Sequence, residues 1–127
     1  MDVQPILRSV LAECRVSVRF GHDAMNDLLS FDKSIQETLL ALICARAMRD
    51  PLFKPNGIAE SLHGDLHGFS KIKPKHLGLR IVYRPVQKDR QTGMEIVAIG
   101  LRDREKVYRQ AALRVAKFTE EMFHRSE

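Results

Sequence analysis

From residue 14 to residue 20 the chain alternates, with Val16, Val18 and Phe20 on one parity and Arg15, Ser17 and Arg19 on the other. Period two with one apolar side predicts a strand with a single buried face, and Gly21 ends it. Upstream, Asp2–Cys14 carries Pro5 ahead of Ile6, Leu7, Val10 and Leu11, the pattern of a short amphipathic helix with proline in its first turn. After Gly21, Ala24, Met25, Leu28 and Leu29 fall at helical spacing over His22–Ser30. Phe31-Asp32-Lys33 is a turn, and Ser34-x-x-Glu37 has the form of a capping box opening a second helix. Ile35, Leu39, Leu42 and Ile43 give that helix an apolar stripe, and Asp50-Pro51 stops it because the residue before proline is pushed out of the helical region. The two helices form a hairpin that covers one face of a sheet.

The second half reads as strands. Pro51–Gly68, with two prolines and three glycines, is a long loop. Strands follow at Phe69–Lys73, at Leu79–Val86 and at Met94–Leu101, the last two nearly continuous in apolar character and therefore central. Lys88–Gly93 is the polar turn between them. Asp103 is placed to cap a final helix over 105–123, where Val107, Ala111, Val115, Phe118 and Met122 form the buried stripe. The order (α)βααβββα predicts an α+β fold: a small, mainly antiparallel sheet of about four strands on a helical hairpin, with a C-terminal helix. At 127 residues the chain suits one domain spanning 1–127, with 1–14 as an N-terminal extension.

Composition narrows the class. The apolar fraction is 44% and the charged fraction 29%, as in ordinary soluble proteins, and no run of apolar residues approaches a membrane span. Aromatic residues make up 6% with no Trp, which argues against a stacking platform for single-stranded nucleic acid. Cys14 and Cys44, without a CxxC spacing, suit reduced thiols in an intracellular, cytoplasmic protein.

Charge is what singles out one segment. Residues 71–109 hold eleven cations against four anions, a surplus of seven on a chain whose net charge is +5. The rest of the chain is therefore net negative. Lys71 and Lys73, two apart on a strand, leave the same face about 6–7 Å apart. Arg80 opens the next strand and Arg102 and Arg104 follow the last, so neighbouring strands would bring at least four cations to one end of the sheet. Such a cluster repels itself unless a polyanion joins it, which points to phosphate or nucleic acid; a solvated basic face satisfied by salt bridges is the alternative. Arginine offers a planar fork to phosphate oxygens and stabilises charge that develops on them, while crowded cations make a lysine among them easier to deprotonate. Tyr108 stands one turn into the last helix, where it can stack on a base. Lys75 and Arg84 lie in the same cationic window and join Arg104 as candidate RNA contacts. His63-Gly64-Asp65-Leu66-His67 reads as a polar turn rather than a metal site, and neither metal nor cofactor is assigned.

Taken in order, Lys71-Ile72-Lys73, then Gly78–Tyr83 as G-x-R-I-V-Y, then Gly100–Arg104 as G-x-R-x-R, then Val107-Tyr108 resemble the RelE branch of the RelE/ParE toxin superfamily. The resemblance runs from about Arg15 to Arg114. It implies a RelE-like fold and a ribosome-dependent mRNA endonuclease of a type II toxin–antitoxin system, with an antitoxin protein, the ribosomal A site and mRNA as partners. It also implies metal-independent attack of a ribose 2′-OH on the adjacent phosphate. Carried over by motif, Lys73 matches the general base, Lys71 and Arg80 the phosphate-holding pair, Arg102 the residue beside the leaving oxygen, and Tyr108 the residue that positions the nucleotide. Leu79 departs from the pattern, which often has an aromatic residue there. The extension before Arg15 and the length of Pro51–Gly68 also differ from compact relatives. A gyrase-inhibiting toxin of the ParE branch and a non-catalytic RNA- or ribosome-binding member are the other readings.

Overall fold

The computed structural model describes residues 16–125 together with Ala12; the helix expected over Asp2–Cys14, and Cys14 with it, lie outside the described residues. The elements in chain order are β1 (Val16–Phe20), α1 (His22–Leu29), α2 (Lys33–Met48), β2 (Ser70–Ile72), β3 (Leu79–Lys88), β4 (Gln91–Leu101) and α3 (Lys106–Arg125). They form a four-stranded sheet in the order β1-β4-β3-β2, with β1 parallel to β4 and the other pairs antiparallel. This is the expected α+β architecture, with β3 and β4 central.

The β3–β4 hairpin is longer and tighter than the sequence pattern indicates. Its strands continue to Lys88 and restart at Gln91, which are register partners. Only Asp89 and Arg90 remain in the turn, both at positive φ (51° and 67°), as a two-residue turn matched to the strand twist requires. Partway along, Tyr83 pairs with Ile96 and Val82 with Ala98, so Val97 is an extra residue in β4. This bulge lets Val97 and Ala98 both face α3, while Ile96 and Ile99 face α1 and α2. The near-continuous apolar run of β4 is thus explained by burial on both faces.

Two cores result. Val18, Phe20, Ile81, Tyr83, Met94 and Ile96 pack against Ala24 and Leu28 of α1 and Leu39, Leu40 and Ile43 of α2. On the opposite face, Phe69, Val82, Val97 and Ala98 meet Val107, Ala111, Phe118 and Met122 of α3. The α2 stripe is rotated from the expected one: Gln36, Leu40, Ile43 and Ala47 are buried, whereas Ile35 and Leu42 are only partly so. Its N-cap is Asp32, whose carboxylate accepts from the Ile35 N–H at 3.0 Å; Ser34 is already inside the helix and donates to that same carboxylate. Asp103 does not cap α3. It opens a short 3₁₀ turn, Asp103–Glu105, in which Arg104 and Glu105 sit at positive φ before α3 begins. The loop after α2 is ordered by a 3₁₀ turn at Gly64–Leu66 and by short bridges pairing Phe53 with Ala59 and Leu62 with His67.

Because β1 covers only the first half of β4, the second half would leave backbone groups exposed at a buried edge. Asp27 of α1 fills that gap: its carboxylate accepts from the Ile99 N–H at 3.0 Å and from both terminal nitrogens of Arg114 on α3. Arg114 in turn donates to the Val97 carbonyl at 3.1 Å. One ion pair therefore joins the two helical layers around the edge of the sheet. Replacing Asp27 by Ala leaves a half-buried guanidinium and a backbone donor without their acceptor, at an expected cost of about 2–3 kcal/mol. Urea unfolding of Asp27→Ala should show this loss, and Asp27→Asn should recover part of it by keeping an acceptor for Ile99.

Candidate active site

The β3–β4 register sets the positions of the basic residues. Arg80 pairs with Gly100 one step inside the end of the ladder, and Leu79 with Leu101 closes it. Arg102 follows immediately, its N–H bonded to the Gly78 carbonyl at 2.9 Å. Across β3, Lys71 pairs with Val82, and Lys73 lies one residue beyond the observed end of β2, shorter than the strand expected over Phe69–Lys73. Gly100 lets α3 start close to the sheet: a Cβ there would stand 3.2 Å from Gln110 and 3.5 Å from Val107. That close start brings Tyr108 over the same end of the sheet.

The result is an open cleft of about 430 Å³ lined by Lys71, Lys73, Arg80, Arg102, Arg104 and Tyr108, together with Asp103 and Glu105. Lys71 Nζ stands 5.9 Å from the centre of the Tyr108 ring, and Arg80 is held by a 2.7 Å hydrogen bond to the Leu79 carbonyl. Arg104 is fixed by its left-handed backbone, and its carbonyl accepts from Arg109 at 2.7 Å. Among the described residues, the ion pairs engage Arg19, Lys54, Arg84, Arg114, Lys117 and His124, and none of the five cations of the cleft. Burial pushes the Tyr108 phenol above its ordinary value; the charge and hydrogen bonding of Arg80 and the charge of Arg102 pull the other way, and Glu105 adds to the rise. Tyr108 is thus a neutral hydroxyl at physiological pH, able to donate a hydrogen bond to phosphate or ribose.

Two candidates fall outside this group. Lys75 is exposed on the loop after β2 and does not line the cleft. Arg84 is packed beneath α3: it pairs with Glu95 at 2.8 Å, donates to Thr119 and lies over the rings of Phe69 and Phe118. Glu95 is buried and also holds Arg19, its register partner on β1, so two of the basic residues near this sheet share one acid. Nothing local in the sequence marks Glu95 for this, since it sits inside an apolar run. A second cleft of about 250 Å³, at the hairpin end of the sheet, is lined by Arg19 and Glu95 and so holds this satisfied pair. No three His, Cys, Asp or Glu side chains gather as metal ligands among the described residues. No helix among them is long and apolar enough to cross a membrane.

No family model matches the chain. Over 103 residues it is 31% identical to a RelE-like toxin protein of Escherichia coli, a match that spans 80% of this chain and 98% of that protein. Solved structures share the fold at lower identity. The free RelE toxin of Escherichia coli, as a double arginine-to-alanine variant, is 21% identical with a TM-score of 0.58, over 77% of this chain and 95% of that one. The RelBE2 toxin–antitoxin complex of Mycobacterium tuberculosis gives 24% and 0.51, over 67% and 95%. A YoeB/ParE toxin of Agrobacterium tumefaciens gives 22% and 0.52, over 66% and 96%.

The two tyrosines make the cleft accessible to spectrophotometric titration. The transition lost in Tyr108→Phe is expected above the ordinary phenol value of 10.0. In Arg80→Ala it moves higher still, because removing a cation disfavours the phenolate. A Tyr108 transition that falls in Arg80→Ala would contradict the placement of that guanidinium.

Proposed function

We propose that this chain, which belongs to the RelE-like toxin family, is a ribosome-dependent mRNA endonuclease that cuts in the A site and is restrained by a cognate antitoxin. One observation carries the reading: five cations and a tyrosine line one cleft with only two acids, Asp103 and Glu105, and none of the five is in an ion pair among the described residues, while Arg19 and Arg84 on the sheet and Arg114 on α3 are paired. Self-repulsion of that kind is relieved by a polyanion, and a phosphodiester fits a cleft of this size and charge.

The residue roles in the proposed chemistry are those that the motif resemblance implies. The 2′-hydroxyl of one nucleotide attacks the adjacent phosphorus while Lys73 accepts its proton. A new P–O bond forms and the bond to the 5′-oxygen of the next nucleotide breaks, leaving a 2′,3′-cyclic phosphate and a 5′-oxyanion that takes its proton from water. Lys71 and Arg80 hold the phosphate and stabilise the negative charge that grows on its oxygens. Arg102, whose pKa above 12 makes it a poor proton donor, acts on the leaving oxygen by charge. Tyr108 supports a base or ribose with its ring and donates from its hydroxyl. These side chains supply attack, charge stabilisation and positioning without a metal. A ribosomal substrate places the protein in the cytoplasm. An antitoxin partner is supported by the RelBE2 neighbour, which is a toxin–antitoxin complex.

The test is a reconstituted translation reaction with cleavage mapped by primer extension, with and without ribosomes. Cuts within A-site codons that need ribosomes are expected, and Arg80→Ala should slow them by about 10²-fold or more with no change in urea stability. Intact mRNA with the wild-type protein would move the assignment to gyrase inhibition or to RNA binding without cleavage.

A further inference from the structure

On the other side of Lys71 and Lys73 lies another cleft, of about 360 Å³, which the proposed chemistry does not use. Its inner wall is the free edge of β2, from Ser70 to Lys73; its outer wall is the loop carrying Lys54, Ile58, Ala59 and Glu60, and Arg46 of α2 reaches it from the helical layer. Lys71 and Lys73 line both clefts, so the two are contiguous.

The wall is built rather than loose. The Asn56 and Gly57 N–H groups bond to the Phe53 carbonyl, Ile58 N–H to Asp50, and Ala59 N–H to Leu52. Ala59 is buried, and Gly57 has no room for a side chain: a Cβ would stand 2.2 Å from the Leu52 carbonyl oxygen. Arg46 is equally fixed. Its guanidinium donates to the Tyr83 hydroxyl at 2.9 Å, that hydroxyl donates to the Pro51 carbonyl at 2.9 Å, and the guanidinium carbon stands 5.7 Å from the Tyr83 ring centre. Tyr83, fully buried and last in the G-x-R-I-V-Y stretch, therefore orients a cation that no described carboxylate pairs.

Four cations thus border this cleft against one acid, Glu60, which pairs with Lys54 at 2.8 Å. Its carboxyl is held below the ordinary value by the hydrogen bond and charge of Lys54, and further by the charges of Lys71 and Lys73. An exposed carboxylate is thus drawn by three lysines.

We infer that this second cleft is a subsite for the phosphate of a nucleotide flanking the cut. Arg46 and Lys54 bind it there, and Glu60 is the internal anion that the RNA displaces. The inference rests on the nuclease reading above. It makes Arg46 and Lys54 substrate-binding residues that extend the contact beyond the scissile phosphate, and Glu60 a brake on affinity.

Fluorescence anisotropy with 2′-O-methyl oligoribonucleotides, which lack the attacking hydroxyl, tests it. A dinucleotide with one internal phosphate fills only the first cleft, whereas a tetranucleotide reaches both. Lys54→Gln and Arg46→Met should each weaken the tetranucleotide by about 5- to 10-fold and leave the dinucleotide unchanged. Glu60→Gln should tighten the tetranucleotide by about threefold. Lys54 is on the surface, so its variant tests the subsite even if Arg46→Met lowers stability through Tyr83. Tetranucleotide binding unaffected by Lys54→Gln, or both probes weakened equally, would overturn the subsite. Arg80→Ala separates the two claims: weakening of both probes by this variant alone leaves the nuclease reading standing and removes the second subsite. No measurable binding of either probe by the wild-type protein would remove the second subsite, whereas the nuclease reading stands or falls on the ribosome-dependent cleavage.

Discussion

The long antiparallel ladder between β3 and β4 is the constraint on which the other features depend. Its register places Arg80 opposite Gly100, so the end of β3 and the exit from β4 meet at one point. Its bulge at Val97 turns consecutive apolar residues toward both helical layers, and so decides that the sheet is covered on two faces. A slip of one residue would bury Arg80 and expose Ile81. The cleft is therefore specified by the same packing that specifies the core. Asp27 and Arg114 complete this arrangement where β1 runs out, by supplying the hydrogen bonds that a further strand pairing would otherwise have made.

On that frame the basic residues divide by environment rather than by type. Arg19, Arg84 and Arg114 are half-buried under helices and each meets a carboxylate, Glu95 or Asp27. Desolvation makes such pairing obligatory, because a guanidinium removed from water without a counter-charge is strongly destabilising. Lys71, Lys73, Arg80, Arg102 and Arg104 stand around an open cleft, where solvent screens their repulsion enough for the fold to carry them. The left-handed turn at Arg104 and Glu105 adds backbone strain at that place, where non-glycine residues at positive φ cost about 1–3 kcal/mol each. Repulsion and strain are thus concentrated at one end of a well-packed sheet, and a bound anion would relieve the first.

Edge strand β2 links this site to the loop between α2 and β2. Being short and unpaired on one side, β2 exposes Lys71 and Lys73 to both clefts. The buried hydroxyl of Tyr83 carries the connection inward, from the Pro51 carbonyl at the start of the loop to Arg46 on α2. A residue that reads as ordinary strand core thereby has a polar role, and it ties the loop to the helical layer that supports the sheet.

The sequence by itself determined the elements and the cationic character of one segment. Alternation marked β1, helical spacing marked α1, α2 and α3, and the cationic excess of residues 71–109 with its ordered motifs marked Lys71, Lys73, Arg80, Arg102 and Tyr108. These are local properties, written in periods of two and 3.6 and in net charge along the chain. Only the tertiary structure decided which cations are free and which are neutralised. Arg84 and Arg80 belong to the same strand and the same basic window, and what separates them is Glu95, brought beside Arg84 by strand pairing. The cap at Asp32 in place of Ser34, the bulge at Val97 and the arrival of Arg46 beneath Tyr83 were settled in the same way. Each depends on competition among partners distant in sequence, and burial, which sets the strength of that competition, exists only once the chain has folded.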